Sequence, residues 1–186
     1  MSDVATRYRK NAGAFEDLVG AVRPEQWSNP SPCDEWDARG VVEHIVFMHG
    51  VMLRPLGREL SDAPSTAQDP LTAFRAARDD VESALAEPSI ASSRVDTPMG
   101  AVTFEQHVDA VVSGDMVLHG WDLARATGQD ETMDPTEVER ITRELAAIPE
   151  DVLRRPGVLG PRVEVPDSAS PQDKLLGFLG RDPRSV

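Results

Sequence analysis

At three places in this chain a short capping side chain, followed at once by proline, opens onto an apolar helical period: Asp69-Pro70, Asp134-Pro135 and Ser170-Pro171. An acceptor at the N-cap and a fixed φ at the first helical position each favour a helix start. The residues that follow carry a helical period. Leu71, Phe74, Val81 and Leu85 share one side of a helix that stops before Pro88. Val138, Ile141, Leu145 and Ile148 do so after Pro135, and Leu175, Leu176, Phe178 and Leu179 form the apolar side of a short last helix.

The rest of the chain reads the same way. Residues 3–19 form a first helix with Val4, Tyr8, Phe15, Leu18 and Val19 near one face, and Gly20 is placed to end it in the left-handed conformation. Pro24, Pro30 and Pro32 make residues 21–35 a connection with at most one helical turn. Asp37 caps a second helix running to about Leu56. Its apolar surface (Val41, Val42, Ile45, Val46, Met48, Met52, Leu53) is broad enough for a central position. Residues 94–103, with Pro98-Met99-Gly100 at the turn, predict a small hairpin. Thr103 and Gln106 form a capping box that opens a fourth helix from Phe104 to about Thr127, closed by Gly128. Val163 and Val165 are briefly extended. The expected fold is all-α: a four-helix core with a small hairpin, a C-terminal addition packed across it, and one domain over residues 1–186.

Composition narrows the chemistry. With 186 residues and 40% hydrophobic content, the chain suits one soluble domain. No apolar run approaches the roughly 18 residues of a membrane span. The acidic start, Met1-Ser2-Asp3-Val4, lacks signal-peptide character, which makes the cytoplasm the expected location. A net charge of -13 argues against nucleic acid as partner. The single cysteine, Cys33, excludes an internal disulfide framework and a Cys-based zinc site.

Any metal is then expected on His and carboxylate, and the chain has four histidines: His44, His49, His107 and His119. Asp115 and His119 are four apart, so they lie about 40° from each other and roughly one turn along a helix. Val111, Val112, Met116, Val117 and Leu118 surround them, and polar groups turned towards such a core need a partner. One reading is a pair of metal ligands, with His44 on the second helix as the third. The other is a surface ion pair and a hydrogen-bonded core histidine. His49, about 140° round the helix from His44, is assigned a rim or surface role. His107 lies about 12 Å before Asp115, where it can line a pocket mouth. Asp122 either orients His119 or is a surface charge paired with Arg125. Cys33 is too distant in sequence to be an obvious ligand and reads as a small buried thiol or a redox group. Trp27, Trp36 and Trp121 read as packing residues, Trp121 being close enough to His119 to border a pocket.

Trp27, Pro32-Cys33-Asp34-Glu35-Trp36, His44 and the block His119-Gly120-Trp121-Asp122-Leu123-Ala124-Arg125-Ala126-Thr127-Gly128 resemble the DinB-like superfamily. They most resemble the branch related to the N-terminal domain of mycothiol-dependent maleylpyruvate isomerase. Val165-Pro166-Asp167 and Ser170 to Pro183 extend the likeness over nearly the whole chain. The resemblance implies an up-down-down-up four-helix bundle with a metal triad matching His44, Asp115 and His119. It departs at Asp115, where the isomerase carries Glu, and in the isomerase's larger C-terminal domain.

The implied function is a metal- and thiol-dependent S-transferase or isomerase acting on a small electrophile. Its ion would be zinc first, with nickel, iron or manganese also suited to the donors, and mycothiol or a similar thiol the cosubstrate. A metal-hydroxide hydrolase, and a metal-binding sensor or interaction module without turnover, remain as alternatives. A homodimer is expected from the resemblance alone.

Overall fold

The structure is a computed structural model that describes residues 2–33, 36–97, 100–154 and 159–184. The chain divides into two compact units, Met1–Asp130 and Glu131–Val186. The fold is mostly helical, with one small hairpin, as the sequence predicts. Among the described residues no helix is long and apolar enough to cross a membrane.

The first unit holds α1 (Asp3–Ala21), α2 (Ala38–Leu53), α3 (Pro70–Ala86) and the short α4 (Pro88–Ala91). The antiparallel strands β1 (Arg94–Thr97) and β2 (Gly100–Thr103) follow, in the register Arg94↔Thr103 to Thr97↔Gly100. Pro98 and Met99, the expected turn, lie outside the described residues. Next come α5 (Phe104–Val108), a π segment (Asp109–Ser113) and α6 (Gly114–Thr127). The predicted caps are present: Asp37 accepts from the Gly40 N–H, Asp69 from that of Thr72, and Thr103 and Gln106 close the capping box. Gly128 ends α6 at φ 65°, the left-handed conformation that glycine adopts without penalty.

α1 packs on α3 and α6, and α2 also packs on α3 and α6, so the four helices close a ring. Tyr8, Phe15, Ile45, Phe74, Phe104 and Leu123 are fully buried inside it. Carbonyls at the end of α6, which have no partner further along the helix, are taken up from other segments. Gln26 Nε2 donates to Thr127 O at 2.6 Å and Asn29 Nδ2 to Ala126 O at 2.8 Å.

Two features differ from the expectation. Gly20 does not end α1; the helix continues to Ala21 and is capped by an extended Val22. Leu71 lies beside Gly20, and packing against α3 carries the helix past it. The fourth helix spans the predicted residues but contains the π segment, which takes up about one residue more than an α turn. In an unbroken α-helix Met116 would stand about 120° round from Phe104. Taking up the extra residue leaves about 20°, which matches the burial of both side chains in one core.

The second unit contains α7 (Pro135–Ala146), α8 (Glu150–Leu153) and α9 (Pro171–Phe178), with α7 packed on α9. Asp134 and Ser170 cap α7 and α9 as predicted. Val163 forms no strand, but its N–H donates to Gly177 O at 2.9 Å. A Cβ on Gly177 would come within 2.6 Å of Val163 O, so only glycine admits this approach.

Candidate metal centre

The packing of α2 on α6 brings His44 to Asp115 and His119. His44 Nε2 stands 3.6 Å from Asp115 Oδ2, and the His44 and His119 rings meet nearly edge to face, with centroids 4.7 Å apart. Both His44 and Asp115 are only partly exposed. One turn further along α6, Asp122 is fully buried, and its Oδ2 accepts from His119 Nδ1 at 2.9 Å. That bond fixes the imidazole as the Nδ1–H tautomer and leaves Nε2 as the nitrogen that can ligate.

The connection before α2 completes the group. Trp36 N–H donates to Cys33 O, Ser31 N–H to Trp36 O and Ala38 N–H to Asn29 O. This turn sets the Trp36 ring flat on His44 at 4.5 Å and tilted against His119 at 5.4 Å. It also sets Cys33 Sγ 3.4 Å from Asp122 Oδ2, to which the thiol donates. Among the described residues, the group of three donors within 4.8 Å of one another is Cys33, His119 and Asp122.

Several expectations are corrected here. His49 is not at a rim: it is fully buried, with Nδ1 at 2.7 Å from Ile45 O and Nε2 at 3.0 Å from Tyr8 Oη. α2 is covered on several sides, so 140° away from His44 is another wall of the core, formed by Tyr8 and Phe74. Burial lowers the His49 pKa to about 4. Asp122 is fully buried rather than a surface charge, and the Arg125 guanidinium lies over the Trp121 ring at 4.5 Å. Cys33 is only partly buried and stands beside His119 despite its distance in sequence. Trp36 touches both histidine rings of the site rather than serving packing alone. Trp121 is buried, and burial lowers the pKa of the half-buried His107.

The donor chemistry fits a divalent ion. Zinc with bonds of about 2.0–2.1 Å separates tetrahedral ligands by about 3.3 Å, close to the His44–Asp115 spacing. The hydrogen-bonded pair His119–Asp122 is the outer support that ligating imidazoles usually have. A groove of about 1220 Å³ lies elsewhere, within the second unit, between α7, the 162–167 segment and α9, and includes none of these residues.

Fold and site together define a helical bundle with a histidine–carboxylate cluster between two of its helices. The chain belongs to the mycothiol maleylpyruvate isomerase N-terminal domain family, whose model matches residues 8–124. It is similar to two uncharacterized proteins of Mycobacterium tuberculosis, from strains CDC 1551 / Oshkosh and ATCC 25618 / H37Rv. Each is 29% identical over 184 residues, which is 98% of this chain and 100% of the relative. No solved structure matches.

Proposed function

We propose that this protein is a metal-dependent enzyme that uses a low-molecular-weight thiol, mycothiol first, in an S-transfer or isomerisation on a small electrophile. The observation that carries this reading is the approach of His44 to the Asp115 carboxylate on one side and to the His119 ring on the other, with buried Asp122 behind His119. His44 Nε2, the Asp115 carboxylate and His119 Nε2 would hold one divalent ion; zinc suits these donors, as do nickel, iron and manganese. Three protein ligands leave coordination positions open, the pattern of catalytic sites. A bound ion supplies Lewis acidity there and favours the thiolate form of a sulfur ligand at neutral pH.

The chain's own groups do the rest. Asp122 holds His119 in one tautomer and one orientation. Asp115 brings a negative charge that partly offsets the ion's. Trp36 covers one face of His44 and keeps water from it. Mycothiol as cosubstrate is supported by the family to which the chain belongs.

The test uses cobalt in place of zinc and Cys33→Ser as background, so that any sulfur ligand is exogenous. Mycothiol should bring up a sulfur-to-metal absorption band, and electrophile consumption should require mycothiol. His44→Ala and Asp115→Ala should remove both. Ester hydrolysis by loaded protein without thiol would replace this reading with a metal-hydroxide hydrolase. No band and no turnover would leave a metal-binding sensor or interaction module.

A further inference from the structure

Outside the proposed triad, one oxygen of a fully buried carboxylate receives both an imidazole N–H and a thiol: Asp122 Oδ2 with His119 Nδ1 at 2.9 Å and Cys33 Sγ at 3.4 Å. Donor atoms of these three residues lie within 4.8 Å of one another. We infer that Cys33, His119 and Asp122 form a second position for a thiophilic divalent ion, in which the protein's own sulfur is a ligand and which is filled in alternation with the first.

The chemistry of the imidazole imposes the alternation. With its proton on Nδ1, His119 donates to Asp122 and can ligate only through Nε2. An ion held by Cys33 and Asp122 takes Nδ1, the proton moves to Nε2, and that nitrogen can no longer serve the His44–Asp115 side. The balance is simple: Cys33 loses one proton to solvent, the imidazole keeps its one N–H, and no electrons move. Thiolate, imidazole and carboxylate together favour zinc, cadmium or cobalt over magnesium or calcium.

The inference shares His119 with the proposed function but stands on different partners, and His44 separates the two. Cobalt alone, added to the wild-type protein without any small thiol, should give a sulfur-to-metal absorption band. Cys33→Ser should abolish that band while far-UV circular dichroism remains helical. His44→Ala should keep it, although the same variant loses the thiol-driven band of the proposed enzyme. In the unmutated protein, zinc should slow alkylation of Cys33 by iodoacetamide by about tenfold or more, and a chelator should restore the rate. Absence of the cobalt band in wild type, or equal alkylation with and without zinc, overturns the inference and leaves the proposed enzyme untouched.

Discussion

Asp122 carries an expectation of its own. It is fully buried and bonded to His119, so its removal frees the imidazole to rotate. With Cys33→Ser as background, Asp122→Ala should weaken zinc binding by about 10- to 100-fold in a competition titration, more than any substitution at exposed Glu43. His49 makes a different one. Its pKa of about 4 lies below the ordinary 6.5, so the unfolded chain takes up a proton that the folded chain refuses. Stability from this group is full above about pH 6.5 and is lost as the pH falls towards 4, by about 3 kcal/mol at most. His49→Gln should be less stable than wild type at pH 7, and urea titrations should find the gap narrowing steadily down to pH 4. That Asp115 and His119 share one face of a helix was legible from their i,i+4 spacing, whereas His44, which the structure brings near both, was singled out by its apolar flanks and by the family resemblance. Cys33 and Trp36 were not, because a turn closed by backbone hydrogen bonds brings them to the site, and that turn has no period to read. His49 was misread because a rotation angle says which way a side chain points, not what stands there.

Helix starts were the most legible elements, since a cap and its proline act within four residues. The π segment was invisible for the opposite reason: α and π turns use the same residue types, and only the shared core on both sides of the turn requires the extra residue. That account is testable. Deleting Val111, which is only partly buried, should convert the segment to α-helix and keep Phe104 and Met116 on one face. Metal content and thermal stability should stay near wild type. Deleting Val111 and Val112 together turns α6 by about a further 100° and should abolish the site. In the second unit, Gly177→Ala should cost about 1–3 kcal/mol in denaturant unfolding, because its Cβ meets backbone that cannot rotate away.

At the scale of the whole molecule, the net charge of -13 surrounds the site with a field that draws in cations. The rate of zinc uptake should therefore fall as salt is raised from 10 to 500 mM, roughly in step with the shrinking Debye length, in stopped-flow measurements. A rate indifferent to salt would mean that the last steps of entry, not the field, set the pace. The chain also has three tryptophans, of which Trp36 alone among the described ring contacts lies against the histidines of the site. The change in intrinsic fluorescence on metal binding is consequently weighted towards the site. A paramagnetic ion such as copper or cobalt at His44 should quench Trp36, whose ring stacks on that imidazole, more strongly than the other two tryptophans, and Trp36→Phe should remove most of the response to occupancy.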